Sequence, residues 1–93
     1  MRKIEQQMLN AVQNKLDWSK DNTRVEYVQE VDSSCIRLYE HIIATFNHYT
    51  NTLITNKDVL LEWPAVTTKS RLRALGADLK QSKGILYLNG ESI

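Results

Sequence analysis

The sequence contains only one cysteine, one proline and three glycines among 93 residues. Cys35 alone cannot form an internal disulfide or a cysteine-rich zinc site, which indicates a reducing, intracellular setting. No apolar run approaches the roughly 18 residues that suggest a membrane span. The basic start, residues 1–8, is interrupted by polar residues and does not resemble a secretory signal. We therefore expect a soluble, cytoplasmic protein without a membrane partner.

The chain also lacks an excess of either charge. Twelve Lys and Arg stand against 11 Asp and Glu, which leaves a net charge of +1 with both histidines neutral. This balance excludes an acidic DNA mimic and a histone-like basic protein. A hydrophobic content of 42% and a charged content of 25% are typical of folded domains. The length allows one domain, so residues 1–93 are expected to form a single α+β domain.

The N-terminal segment has the pattern of an amphipathic helix. Its apolar side chains fall within an arc of about 140° at 100° per residue, which predicts a helix over residues 3–15. Residues 17–23 include five that prefer caps and turns, so a turn is expected after the helix.

Beyond Thr23 the hydrophobic period falls to two, which is typical of strands. Three alternating runs follow, at 25–28, 35–39 and 42–47, and predict an antiparallel meander with a short Glu40-His41 connection between the last two. The segments Leu53-Ile54 and Val59–Trp63 are both strand-like, so one or two further strands are expected.

Pro64 cannot donate to a sheet ladder and is expected to end the sheet. A second helix is predicted to begin with Thr67 or Thr68 as its N-cap and to run to about Lys80. Its apolar face consists of three leucines at positions 72, 75 and 79.

The C-terminal segment reads as β structure. A β-type run at 85–88 is followed by Asn89-Gly90, a typical hairpin turn that returns residues 91–93 as a short extension. The predicted fold class is therefore α+β: an N-terminal helix, an antiparallel meander of three to four strands, a second helix and a C-terminal strand.

The chain has no complete catalytic or metal-binding motif. His41 and His48 lack the convergent partners that a metal ion or a general base would need, and no signature of a nucleophile surrounds Cys35. The three glycines do not have phosphate-loop spacing. We expect no enzymatic activity, no cofactor and no metal; catalysis would require His41, His48 or Cys35 to converge with acids in a pocket.

Charge is distributed unevenly along the chain. Residues 69–83 carry five cations and one acid, a net charge of +4, whereas residues 24–62 carry three cations and six acids, a net charge of −3. On a helix, Lys69, Arg73 and Lys80 would lie within about 40° of one another and form a basic stripe, with Arg71 and Lys83 adjoining. These five residues are the candidate partner-binding set. The stripe could contact phosphates, an acidic protein or a second copy, or it could simply be solvated.

The aromatic residues decide little between these partners and are interpreted as core-edge or protein-contact residues. Most tyrosines lie on or near the strands, but the strand region is acidic and would repel phosphates. Trp18 and Trp63 stand at two junctions of the sheet region and are interpreted as anchors of helix ends. An exposed tryptophan at either position would mark an interface.

Two segments stand out beside the N-terminal helix and the strand meander: the turn Trp18-Ser19-Lys20-Asp21-Asn22-Thr23 and the helix start Thr67-Thr68-Lys69-Ser70-Arg71-Leu72 ahead of Ala74-Leu75. In this combination most of the chain resembles small uncharacterised accessory proteins of tailed bacteriophages. Similar proteins usually have a glycine-containing turn between the second and third strands, where this chain has Glu40-His41. The resemblance implies an accessory phage protein in the infected bacterium and carries no catalytic residues.

Two functions remain open at this stage. The first is binding of a bacterial host protein, with inhibition of a host enzyme or defence system as its consequence. The alternative is a small nucleic-acid-binding protein that uses the basic stripe. A homodimer is a further option, because an uncovered sheet edge can pair with a second copy.

Overall fold

Two antiparallel sheets and three α-helices form the fold, which a computed structural model describes over residues 1–93. The elements are α1 (Lys3–Gln13), β1 (Trp18–Lys20), β2 (Thr23–Val28), β3 (Ser33–Leu38), β4 (His41–Asn47), β5 (Thr52–Thr55), α2 (Lys57–Glu62), α3 (Val66–Ala74), β6 (Leu79–Ser82), β7 (Ile85–Leu88) and β8 (Glu91–Ser92). The predicted α+β class is confirmed. None of the helices combines the length and the apolar character needed to cross a lipid bilayer.

The larger sheet is a five-stranded meander in the order β1-β2-β3-β4-β5. In its centre Val25 pairs with Ile36, and Ile36 pairs with Ala44, so the three predicted strands are confirmed with their antiparallel order. These side chains are buried because they face the helices, while alternate residues such as Arg24 point away from the core.

The core lies between the inner face of this sheet and the helices. Each helix contributes at least one side chain with no exposed surface: Met8 from α1, Leu60 from α2 and Leu72 from α3. They meet Ile36 and Ile43 of the central strands. Removal of this apolar surface from water is the main stabilising contribution to the fold.

The turn predicted between Trp18 and Thr23 contains a strand that the sequence pattern missed. β1 pairs with β2 through Trp18 opposite Val25 and Lys20 opposite Thr23, and the turn itself is only Asp21-Asn22. Trp18 packs against the core, but Ser19 and Lys20 are exposed. A short edge strand with one inward side chain has too little alternation to be recognised.

The strand predicted at Val59–Trp63 is wrong, because this segment forms α2. Asn56 explains the difference, since its side-chain oxygen accepts from the Val59 N–H at 3.4 Å and caps the helix. The Asn56 side-chain amide also donates to the Ile42 carbonyl at 2.8 Å, which fixes the helix start against β4. Between β4 and Pro64 there is therefore one further strand, β5, which agrees with the predicted one or two.

The predicted limits of the second helix are also wrong at both ends. α3 has Ala65 as its N-cap, and Thr68 is buried inside the helix. The helix ends at Ala74 and not near Lys80, because Gly76 adopts a left-handed φ of 105°. The Gly76 N–H donates to the Arg73 carbonyl at 3.0 Å and the Ala77 N–H donates to the Leu72 carbonyl at 3.0 Å, which is the pattern of a Schellman cap.

The residues beyond this cap form a separate three-stranded sheet in the order β6-β7-β8. The expected C-terminal strand is β7, and the predicted Asn89-Gly90 turn is confirmed between β7 and β8. β6 includes Leu79 and Lys80, for which the sequence predicts the end of the second helix. It joins β7 through the turn Lys83-Gly84. Leu79, Leu86 and Leu88 of this sheet are buried in the common core.

Candidate protein-binding groove

The basic stripe predicted on the second helix does not exist, because Lys80 lies on β6. Lys69 Nζ donates to Gln81 Oε1 at 2.8 Å, and Arg73 Nε donates to the Leu79 carbonyl at 2.9 Å. Both cations therefore hold α3 against one face of β6. Lys80 alternates with Leu79 and Gln81 along the strand and points to the opposite face, where it is 3.9 Å from Asp78. Lys83 lies in the β6–β7 turn.

Arg71, expected beside the stripe, is buried with 3% of its surface exposed. Its Nη1 donates to Glu5 Oε2 at 2.8 Å, and its Nε donates to Thr23 Oγ1 at 3.0 Å. Ser70 Oγ donates to the same Glu5 oxygen at 2.6 Å. Arg71 consequently ties α1, α3 and β2 together inside the core and offers no surface to a partner.

Glu5 is the acid of this buried network. Burial by itself would raise the pKa of the Glu5 carboxyl, but hydrogen bonds from Ser70, Arg71 and the Arg2 backbone, with the positive charge of Arg71, lower the pKa below its ordinary value of 4.5. The carboxylate is therefore ionised and fully paired in the folded protein.

The three side chains considered for catalysis do not come together. His41 begins β4, whereas His48 follows its last residue, so the length of the strand separates them. Cys35 is next to Ser34 on β3 and points to the opposite face of the sheet from it.

His48 instead belongs to a second polar cluster, on the inner face near the β2–β3 connection. Its Nε2 lies 2.8 Å from Ser34 Oγ, a serine-histidine pair of the kind that can activate a nucleophile. Ser34 has no exposed surface, however, so a substrate cannot reach its hydroxyl in this conformation. The rings of Tyr27 and Phe46 pack edge-on against the histidine.

Asp32 is the acidic residue of this polar cluster. Tyr27 Oη donates to Asp32 Oδ1 at 2.6 Å, and Lys15 Nζ lies 2.9 Å from the same oxygen. These hydrogen bonds lower the pKa of Asp32 and raise the pKa of both Tyr27 and Lys15. The cluster fastens the end of α1 to the sheet, and its hydrogen bonds are internal.

A strained turn precedes β4, at the end of the strand that lies away from His48. Leu38 pairs with His41, so the two turn residues are Tyr39 and Glu40, and not Glu40 and His41 as the sequence suggested. Both residues have positive φ, 51° and 67°, a conformation that normally selects Asn or Gly. The turn consequently presents two large side chains at positions where the backbone disfavours them.

An apolar groove of about 460 Å³ lies between this turn and the α2–α3 connection. Its floor is formed by core side chains that include Leu38 and Ile43. Trp63, the C-cap residue of α2, packs against His41 with 4.2 Å between the ring centroids and 42° between the ring planes. Tyr39, Val59, Ala65, Thr67 and Thr68 complete the lining.

The groove is bordered by large apolar side chains that are open to solvent. Tyr39 is 69% exposed and Trp63 is 44% exposed. Val66, which follows the lining residue Ala65, is 71% exposed. Clustered aromatic and aliphatic exposure of this kind is typical of protein interaction sites, whereas isolated exposed apolar residues are ordinary.

An acidic hollow adjoins the groove and shares Tyr39 with it. The hollow, about 480 Å³, is lined by Asp21, Asn22, Tyr39 and Glu40. The Tyr39 N–H donates to the Asn22 carbonyl at 2.9 Å, which holds the β1–β2 and β3–β4 turns together. Glu40 lies 3.3 Å from Arg24 in an exposed ion pair, and Asp21 takes part in no ion pair.

The sequence predicts both tryptophans as anchors of helix ends, and an exposed one as the mark of an interface. Trp63 is the C-cap residue of α2, contacts His41 and is exposed. Trp18 packs against the core, in keeping with the anchoring role expected of it. Tyr39 is predicted from the sequence only as one of several aromatic residues at core edges or protein contacts, and His41 is not predicted as a binding residue, because only the tertiary fold brings their turn beside α2.

Comparison with known proteins gives one family-level match. The family model described as Kyanoviridae Gp96 protein, from tailed phages, matches residues 1–93. No curated protein and no solved structure matches the chain. The match confirms the phage setting expected from the resemblance, but it carries no information on the two motifs from which that resemblance was drawn.

Proposed function

Because the chain belongs to the Kyanoviridae Gp96 protein family of tailed phages, we propose that it acts in the infected bacterium by binding a host protein through the groove. The observation that carries the proposal is the exposed aromatic border of the groove, formed by Tyr39 and Trp63. Tryptophan and tyrosine are the residues most enriched at the energetic centres of protein interfaces.

The local geometry supports a preformed binding surface. The Trp63 ring contacts His41, and its backbone is held by the hydrogen bond from the Trp63 N–H to the Val59 carbonyl at 2.9 Å. A residue that is restrained in this way loses less conformational entropy when a partner covers it. The apolar floor then gains stability from the surface that the partner removes from water.

The proposal includes no chemical step by this chain. Binding alone can inhibit a host enzyme or a defence system, if the covered surface is one that the host protein needs. Lys69 and Arg73, expected from the sequence to contact the partner, already bond Gln81 and the Leu79 carbonyl, so the groove is the stronger candidate surface.

The test is an affinity capture from nuclease-treated host lysate with three versions of the protein. We expect wild type and Tyr49→Ala to retain the same host protein in stoichiometric amounts, and Trp63→Ala to lose it. Tyr49 is the matched control because it is also an exposed aromatic residue, at 88%, but lies beyond the other end of β4. Truncation of a hot-spot tryptophan lowers the binding free energy by at least about 2 kcal/mol, which is roughly thirtyfold in affinity.

The folding of each variant is checked by circular dichroism and thermal unfolding. Val66→Ser provides a second variant of the border, because Val66 is exposed and makes no stacking contact. Equal retention by wild type, Trp63→Ala and Val66→Ser would contradict the proposal. Retention of nucleic acid alone without nuclease, lost in Lys69→Glu/Arg73→Glu, would favour the alternative function instead.

A further inference from the structure

The acidic hollow beside the groove bears on the chemistry of the partner. Resting on the proposed function, we infer that the host segment entering the groove carries a lysine or arginine next to its apolar anchor. The apolar side chain would fill the groove, and the neighbouring cation would enter the hollow. Tyr39 separates the two compartments and would contact both parts of the segment.

Charge is the first reason for a cationic neighbour. Asp21 has no cationic partner within the chain, so its carboxylate is available. Glu40 has one, Arg24, but the pair is exposed and its contact is 3.3 Å, which makes it a weak, replaceable interaction. Arg37 Nη1 also approaches Glu40, at 3.2 Å from its backbone carbonyl, but its ion-pair partner is Glu26 at 4.0 Å. A cation that displaces Arg24 would therefore meet two carboxylates.

The aromatic wall is the second reason. Tyr39 is 69% exposed and lines the hollow together with both acids. The face of a tyrosine ring attracts ammonium and guanidinium groups, and arginine makes such contacts most often. A cation in the hollow can therefore combine ion pairing with a cation–π contact, while its aliphatic stem lies against the ring.

A second copy of this chain is a less suitable source of the cation. Lys69 and Arg73 are engaged with Gln81 and the Leu79 carbonyl, and Arg71 is buried. Two basic residues of this region remain: Lys80, which lies 3.9 Å from Asp78, and Lys83 in the β6–β7 turn, two positions before the exposed Ile85. Lys83 and Ile85 are fixed within this tight hairpin, whereas a flexible foreign segment can place its cation and its apolar anchor in the two compartments.

The test uses selection from a displayed library of random linear peptides on the immobilised full-length protein. Three targets are compared: wild type, Asp21→Asn/Glu40→Gln, and the control Glu30→Gln/Glu91→Gln. The control also removes two exposed carboxylates, but from the β2–β3 connection and from β8. Asparagine suits position 21 because it tolerates the positive φ of 53° found there.

Wild type and control are expected to select peptides in which a lysine or arginine lies within a few positions of an aromatic or large aliphatic residue. Asp21→Asn/Glu40→Gln is expected to keep the apolar preference and lose the basic one. For one selected peptide, affinity at low salt should fall about three- to tenfold in this variant and remain unchanged in the control.

The outcomes separate this inference from the proposed function. Selection of apolar peptides without a basic preference, with binding lost in Trp63→Ala, would overturn the inference and leave the groove as the binding surface. Peptides whose binding is insensitive to Trp63→Ala would contradict the groove itself. Concentration-dependent self-association in sedimentation experiments, lost in Asp21→Asn/Glu40→Gln, would overturn the inference in favour of a second copy.

Discussion

Two regions of the helical layer differ in the side chains whose position is energetically unfavourable: one buries charged groups, and the other exposes apolar rings. Where α1 meets α3, Glu5 and Arg71 are buried charges, and their hydrogen bonds are supplied by the chain itself. Where α2 meets α3, the apolar rings of Tyr39 and Trp63 remain exposed around a groove. At the first end the polar groups are satisfied within the chain, and at the second end apolar surface is open to solvent.

The contrast shows that the residues with the strongest polar interactions are not those that a ligand can reach. The buried pair of Glu5 and Arg71 has the shortest nitrogen–oxygen distance of the ion pairs, 2.8 Å, yet both side chains are buried and no ligand can reach them. The groove has few polar groups, but its border residues are open and two of its neighbouring residues adopt strained turn conformations. Strain of this kind persists when the surrounding structure requires it or when the side chains serve a function.

The largest expected effect comes from breaking the buried ion pair. Arg71→Met should lower the free energy of unfolding by about 3–5 kcal/mol, because Glu5 would be left as a buried charge without its partner. Urea unfolding followed by circular dichroism measures the change. Lys69→Met, an adjacent cation on the same helix with an exposed contact, should change stability by less than about 0.5 kcal/mol.

The double variant Glu5→Leu/Arg71→Met sharpens this test. Removal of both charges leaves no unpaired ion, so most of the lost stability should return. A double variant that is no more stable than Arg71→Met alone would show that packing of the long side chains matters more than their charges.

An intermediate effect is expected from acid. The pKa of Glu5 is lowered in the folded protein, so its contribution is complete above the ordinary value of 4.5 and is lost as the pH falls toward the folded pKa. Below about pH 4.5 the wild type should therefore lose stability relative to Glu5→Gln, because the lowered pKa means that protonation of Glu5 opposes folding. Parallel stability curves of the two proteins from neutral to acidic pH would contradict this assignment.

The smallest effect, and the one of opposite sign, is expected at the groove. Tyr39→Asn/Glu40→Gly replaces the turn with the pair that its backbone favours, so the free energy of unfolding should rise by about 1 kcal/mol. The same change removes an exposed ring from the groove and a carboxylate from the hollow, so capture of the host protein should weaken. A variant that gains stability and still binds as wild type would show that the turn side chains do not contact the partner.

The sequence predicted those parts of the fold that depend on local pattern. The amphipathic spacing of α1, the alternation of β2 to β4 and the Asn89-Gly90 turn each specify their structure within a few residues. A mixed α+β class followed from them. These signals are strong because a helix face or a strand face must be apolar on one side only.

The errors occurred where a short apolar run or a single capping residue decided the outcome. Val59-Leu60-Leu61 is apolar enough for a strand, and the periodicity of so few residues cannot exclude a helix. Asn56 before this run and Gly76 after Leu75 were the available signals, as N-cap and C-cap residues respectively. Without these two signals, the pattern predicts a strand in place of α2 and extends α3 into the first residues of β6.

The candidate site was harder to predict than the fold. Nothing in the local sequence distinguishes buried Arg71 from exposed Arg73, because the difference is made by Glu5, 66 positions away. Likewise, Tyr39 and Trp63 form one surface only after β4 and α2 have packed. Properties set by distant contacts are not encoded in hydrophobic periodicity.

The position of Glu5 also has a consequence for the order of folding. Its partners Ser70 and Arg71 follow 65 and 66 positions later, whereas each strand of the larger sheet pairs with its immediate neighbour in the chain. Contacts between nearby segments have less loop-closure entropy to overcome, so we expect the meander to form before α1 docks. Pulsed hydrogen exchange during refolding should protect β2 to β4 before α1, and the reverse order would contradict this expectation. The charged network would then act as the final latch of the folding reaction, closing the N-terminal helix over a sheet already in place.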